Sequence, residues 1–308
     1  MRKFIIRILV FLFPIILMAI SMEFLLRNIP NDYLYKSEYL NRNSNKVEML
    51  FLGSSHIYYG INPNYINEKS FNASYVSQSL DYDLAILKKY EKKWDNLQCI
   101  IVPVDYFSLY STLEVGVEKW RLKNYKLYYD INQNHDFYNN FEILNGKFKE
   151  NLFRIVSYYI KGKNPMTTNK LGWGTIYNSK QNQDLIKTGI SAAKRHTITL
   201  KDNKYFKENI TTLNSIIKFA ETRKIKVIFI TCPAYRSYVD NLNKDQINNT
   251  VNTMMHLSGK NKNIIYCNML NNKSFTAKDF YDADHLNEIG AKKLTLIIND
   301  LIKTKDKK

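Results

Sequence analysis

VEMLFLGSSHIYYG, residues Val47 to Gly60, joins an apolar run to a turn that carries two hydroxyls and an imidazole. Val47 to Leu52 read as a buried strand, and Gly53-Ser54-Ser55 ends it. In an open α/β sheet, such a turn lies at the carboxyl edge, where ligands bind. Ser55 is therefore the candidate nucleophile. The same three residues also suit a plain helix-capping turn, so the assignment depends on what else the chain brings to that edge.

Outward from this stretch the chain alternates. Phe71–Val76, Cys99–Val104, Val227–Thr231 and Ile264–Cys267 read as further strands. Leu80, Leu84, Leu87 and Trp94 fall at helical spacing, and further helices are expected near Phe206–Thr222 and Gln246–Leu257. A last helix follows Asn287, a candidate N-cap, with Leu294, Ile297, Ile298 and Leu301 on one face. Strands alternating with helices predict an α/β domain over residues 47–303, a parallel sheet with helices on both faces. The rhythm fails between 107 and 200. That segment is aromatic and basic, as in WRLKNYKLYY (Trp120 to Tyr129), contains Gly172-Trp173-Gly174, and reads as an inserted cap over the carboxyl edge. Trp120, Tyr125, Tyr128, Tyr129 and Trp173 would either stack on sugar rings or form the insertion's own core.

The amino terminus sets the compartment. Arg2, Lys3 and Arg7 are basic, and Phe4 to Leu26 is apolar except for Arg7, Ser21 and Glu23. As a helix this run spans about 35 Å, enough for a bilayer. Residues 1–26 are read as a signal-anchor with a cytoplasmic amino terminus and an outward-facing domain. A cleaved signal peptide ending at Ala19-Ile20-Ser21 is the rival, although Phe24, Leu25 and Leu26 prolong the apolar run past it. Residues 27–46 read as a polar linker and 304–308 as a basic tail. The 45 basic against 28 acidic residues give +17, which fits anionic lipid, an acidic glycan or nucleic acid. An outward location and the lack of any Arg-rich block exclude nucleic acid. Cys99, Cys232 and Cys267 lie in or beside apolar runs, an odd number suited to core packing and not to a disulfide framework or metal site.

Serine is a weak nucleophile unless a histidine removes its proton and a carboxylate orients that histidine. Just before the last helix, Asp282-Ala283-Asp284-His285 offers both, with Asp284 a less favoured alternative to Asp282; the pair also suits ordinary helix capping. The strand-Gly53-Ser54-Ser55 turn with Asp282-x-x-His285 before the last helix resembles the SGNH/GDSL hydrolase superfamily. Ser54 stands where the family has Asp, and this resembles the membrane-anchored branch of teichoic-acid D-alanylation and exopolysaccharide O-acetylation proteins. The resemblance implies a flavodoxin-like three-layer α/β/α fold and a triad of Ser55, His285 and Asp282. It also implies an oxyanion hole from the nucleophile's N–H, a glycine after the second strand and an asparagine after the third. Here Val76-Ser77-Gln78-Ser79 and Val104-Asp105-Tyr106 occupy those places. Backbone N–H near Ser77 and the Gln78 amide are the remaining donor candidates, whereas an Asp105 carboxylate facing the site would repel the oxyanion. His56 is expected to line the pocket, since neighbours in a turn point apart. His135, His196 and His256 have no partner pattern.

The sequence thus points to a membrane-tethered serine esterase or O-acyltransferase on an extracytoplasmic envelope glycan. It would work without metal or cofactor, and as a transferase with a multi-span membrane acyl-transfer partner. The competing reading is a binding or assembly component that kept the fold and lost the oxyanion hole.

Overall fold

The computed structural model describes residues 1–133, 136–198 and 204–305. In chain order, α1 (Arg2–Arg27) and α2 (Asp32–Asn43) lead to β1 (Met49–Phe51), α3 (Ser55–Gly60), β2 (Ser70–Asn72), α4 (Leu80–Lys89) and β3 (Cys99–Pro103). Then come α5 (Leu122–Tyr129), α6 (Phe148–Ile155), α7 (Leu185–His196), α8 (Lys204–Thr222) and β4 (Lys226–Thr231). The chain closes with α9 (Arg236–Val239), α10 (Lys244–Ser258), β5 (Ile264–Asn268) and α11 (Glu288–Lys305). Two compact units result, Met1–Glu38 with Lys119–Thr167, and Tyr39–Glu118 with Thr168–Lys308.

The second unit is built on a five-stranded parallel sheet in the order β2-β1-β3-β4-β5. This is the flavodoxin-type doubly wound order of α/β proteins. β1, β2 and β3 are buried along their whole length, as a parallel sheet covered on both faces requires. Alternation sorts their side chains. Met49, Phe51, Cys99, Ile101, Ile228 and Ile230 share a cluster with Ile57 of α3, Ile61 just beyond it, and Leu294, Ile298 and Ile302 of α11. The alternate residues Leu50, Ile100, Val102 and Phe229 are equally buried on the other face. There α8 packs on β4 and on α4 through a stripe that includes Leu213, Ile216 and Ala220.

Two glycines are forced by contact. At Gly53, φ is +109° and a Cβ would lie 2.1 Å from Pro103 Cγ, so only glycine lets β1 turn into α3 beside β3. At Gly172, φ is +85° and a Cβ would lie 2.0 Å from Asn72 O. The backbone of 169–174 can therefore lie against the end of edge strand β2, where Leu171 O accepts the Asn72 N–H at 2.9 Å. Asn287 caps α11 as its sequence suggests, its Oδ1 accepting the N–H groups of Ile289 and Gly290 at 3.0 and 3.1 Å.

In the first unit, α1 is a 26-residue apolar helix, long and apolar enough to cross a membrane. Residues 27–46 are not the irregular linker expected from their polarity. Most of them form α2, which buries Tyr33, Lys36 and Leu40. The segment 107–200 is likewise not one insertion, because 119–167 belongs with the amino-terminal unit and the remainder with the sheet. The Glu142 carboxylate, itself buried, gathers Lys123, Arg154 and the Tyr128 hydroxyl at 2.5, 2.8 and 2.8 Å. The aromatic and basic residues of WRLKNYKLYY thus serve in part as the unit's own interior.

Candidate active site

Ser55 is the first residue of α3, directly after the β1 turn, and Asp282 and His285 lie on the loop that leads into α11. The fold brings them together across 230 residues. Ser55 Oγ is 2.8 Å from His285 Nε2, and His285 Nδ1 is 2.9 and 3.1 Å from the two oxygens of Asp282. A carboxylate only accepts, so Nδ1 carries the proton and the Nε2 lone pair faces the serine hydroxyl. Asp282 is itself fixed, its Oδ1 accepting the backbone N–H groups of Asp284 and His285 at 3.1 and 2.9 Å. Asp284 stands farther from His285 Nδ1, at 3.7 Å.

Behind this relay lies a second, buried group of charges. His56 is only 6% exposed and so does not line an open pocket as its position beside Ser55 suggested. Its Nδ1 donates to Asp105 Oδ2 at 2.7 Å, and its Nε2 faces Asp284 Oδ2 at 3.6 Å. Burial works against the imidazolium, but the Asp105 carboxylate, with Asp284, outweighs it and pushes the His56 pKa up to about 10. Burial would raise the Asp284 carboxyl, yet the neighbouring His285 and His56 imidazoles hold it well below the usual carboxylate range. The His56 and His285 rings meet edge to face with centroids 5.0 Å apart. Asp105 Oδ1 also accepts the Cys232 N–H at 2.8 Å. The Asp105 carboxylate is thereby spent on a cation and an amide, and its charge is compensated where it stands.

The oxyanion candidates separate. Both amide hydrogens of Gln78 are engaged, one with Asp83 Oδ1 at 2.6 Å and one with Ala73 O at 3.5 Å, so its side chain is not available as a donor. Ser77 adopts φ +60°, the left-handed conformation that a glycine would take without strain. Among the described residues, the N–H groups of Ser55 and Ser77 are spent on no other acceptor. These two amides follow the adjacent strands β1 and β2.

Beside the relay is a stack of tyrosines that sequence reasoning missed. Tyr59 and Tyr177 stack with centroids 3.7 Å apart, Tyr177 and Tyr281 with centroids 3.9 Å apart. The edge of His285 meets Tyr59 and Tyr177 at 6.2 and 5.3 Å. Trp173 stands behind them, its indole N–H donating to Tyr59 O at 2.7 Å. Three tyrosines from α3, from residues 168–184 and from the Asp282 loop have no common spacing, so no sequence signal could group them.

Two metal-type groupings occur among the described residues, His56 with Asp105 and Cys232, and His56 with Asp284 and His285. In the first, His56 Nδ1 is already bonded to Asp105, and burial pushes the Cys232 thiol well up, away from a ligating thiolate. In the second, His285 Nδ1 is engaged by Asp282. The other two members of that second grouping, His56 Nε2 and Asp284 Oδ2, are buried without a hydrogen-bond partner among the described residues. His196 is structural, its Nδ1 meeting the Tyr238 hydroxyl at 2.9 Å; His256 is exposed, and His135 lies outside the described residues.

No family model matches the chain, and no curated protein matches it. Among solved structures, a protein from Streptococcus pneumonia provisionally described as a platelet activating factor aligns at 10% identity and TM-score 0.42, over 95% of this chain and 98% of its own. A provisionally described acylhydrolase from Bacteroides fragilis aligns at 10% identity and TM-score 0.40, over 87% of this chain and 95% of its own.

Proposed function

We propose that the chain is a serine esterase or O-acyltransferase of the SGNH type, tethered by α1 and acting on acyl esters of an extracytoplasmic envelope glycan. The observation that carries this reading is the unbroken relay from Asp282 through His285 to Ser55, with each ring nitrogen on the correct partner. In this mechanism Ser55 Oγ attacks the acyl carbonyl as its proton passes to His285 Nε2, and the imidazolium is held by Asp282. The Ser55 and Ser77 N–H groups receive the oxyanion. Collapse expels the alcohol, protonated by His285, and leaves an ester on Ser55. A sugar hydroxyl or water, deprotonated by His285, then attacks that ester and frees Ser55.

Transfer is favoured modestly over hydrolysis, because a permanent anchor keeps the site near membrane-linked donors; a multi-span membrane protein would then deliver the acyl group. Comparison of the envelope glycan from wild-type and Ser55→Ala cells by NMR tests this. O-acyl signals fall in the variant if Ser55 transfers and rise if it deacylates. Identical glycans would favour a binding component, for which the absence of a side-chain oxyanion donor from Gln78 or Asp105 speaks.

A further inference from the structure

The first unit carries an apolar surface that the chemistry at Ser55 does not use. Beyond α1, its exposed large apolar side chains include Phe137, Phe148, Leu152, Phe153, Tyr159 and Ile160. α6 continues into a π-helical turn over Val156–Ile160, and Phe148, Leu152, Val156 and Ile160 recur at every fourth position. The opposite side of the same helix is buried, with Ile155 in a cluster with Leu26 and Ile29. One face of α6 therefore packs on the unit, and the other presents Phe and Leu to the outside.

This surface is fixed at one level of α1. Glu23, the carboxylate that interrupts the end of the apolar run, accepts the N–H groups of Glu142 and Ile143 at 3.0 Å each and pairs with Arg27 at 2.5 Å. Arg27 donates onward to Asn140 O, and the Tyr159 hydroxyl donates to Leu25 O at 3.0 Å. A bilayer that takes up α1 has its headgroup level at such a charged turn, and the apolar surface is bonded to that turn. Its charge also fits. Residues 137–163 contain five basic side chains (Lys147, Lys149, Arg154, Lys161 and Lys163) against two acidic ones, Glu142 and Glu150. Glu142 is buried and spent on Lys123 and Arg154. A helix with aromatic and aliphatic residues outward and lysines at its margins suits the boundary between anionic headgroups and acyl chains.

We propose that residues 137–163 are a membrane-interface collar, seating Phe148, Leu152, Phe153 and Ile160 in the headgroup boundary of an anionic bilayer around the exit of α1. The inference rests on the reading of α1 as an uncleaved, bilayer-spanning anchor. A chain with such a collar cannot swivel freely on its anchor, since two elements hold the first unit against the lipid.

The test uses the full-length chain in vesicles of phosphatidylcholine with phosphatidylglycerol, doped with a lipid bearing a diazirine at a shallow acyl position. After irradiation, adducts are mapped by peptide mass spectrometry. Adducts are expected both in α1 and in residues 148–160. Phe148→Ser, Phe153→Ser and Ile160→Ser combined should lower those in 148–160 several-fold, with those in α1 and the melting temperature kept. In vesicles of phosphatidylcholine alone, labelling of 148–160 should also fall several-fold. Adducts in α1 alone would overturn the collar, leave the anchor standing and mark the apolar face as a protein-docking surface. Adducts in neither would remove the anchor and the collar together. Labelling of 148–160 that ignores the three serines would show that these side chains do not enter the lipid.

Discussion

That Ser55, His285 and Asp282 meet was legible because a serine nucleophile would need those residue types, and because Asp282 and His285 lie three apart on one loop. The choice between Asp282 and Asp284 needed the geometry, which aims His285 Nδ1 at Asp282 and turns Asp284 to His56. Asp282→Asn should keep the fold and lower kcat for an acyl ester by about 10³–10⁴-fold, as loss of the orienting carboxylate does in serine triads. Asp284→Asn should leave most of that activity, and a steady-state assay of the two variants separates the roles. The place of His56 does not follow from its neighbour alone. Adjacent residues do point apart, but the direction away from Ser55 here leads into the interior, toward Asp105. Removing its charge by His56→Ala strands the Asp105 and Asp284 carboxylates without their cation, at a cost of about 3–5 kcal/mol of stability read by denaturant unfolding. The same ion group sets a pH dependence. The folded His56 pKa of about 10 lies above its ordinary 6.5, so its stabilisation is complete below about pH 6.5 and is lost as pH rises toward 10. The melting temperature of the wild type should fall over that window, and His56→Gln should flatten this part of the profile.

At the level of elements, the five strands could be read because each is a short apolar run between turn formers, the signature of a strand buried on both faces. β2 ends at Asn72, short of the Val76 that its apolar residues suggest, because the chain turns at Val76 and Ser77, where φ is +60°. α2 was hidden by polarity. Its sequence, DYLYKSEYLNRN, looks solvated, but Tyr33, Lys36 and Leu40 recur at three- and four-residue spacing on a buried side. Residues 107–200 were opaque for a different reason, being short helical pieces whose partners lie elsewhere in the chain. The Tyr59–Tyr177–Tyr281 stack gives that segment a testable role. Tyr177→Ala should raise KM for an acylated oligosaccharide several-fold while changing turnover of a small acetate ester little; equal losses on both would mean the ring only supports His285. At the β1 turn, Gly53→Ala combines a positive φ with a Cβ 2.1 Å from Pro103 and should destabilise by more than about 1 kcal/mol, seen as a lower melting temperature.

For the molecule as a whole, length, basic charge and an apolar amino terminus support the proposal of an anchored outward-facing enzyme, and the topology is open to direct test. Protease added to intact spheroplasts should digest the chain beyond α1, and full protection would place it on the cytoplasmic side and remove the envelope substrate. What composition could not convey was the division into two units, because it depends on 119–167 folding with the first 38 residues. The net charge of +17 has no place in the fold until the lysines flanking the exposed face of α6 are seen, and an anionic bilayer there is what the proposed collar would meet. Whether Ser55 is an activated nucleophile is read from intact-mass and peptide analysis of the purified full-length chain after a serine-directed fluorophosphonate. One adduct is expected, on Ser55, absent in Ser55→Ala and formed far more slowly in His285→Ala. A wild-type chain that melts cooperatively yet acquires no adduct on Ser55 would contradict an activated Ser55.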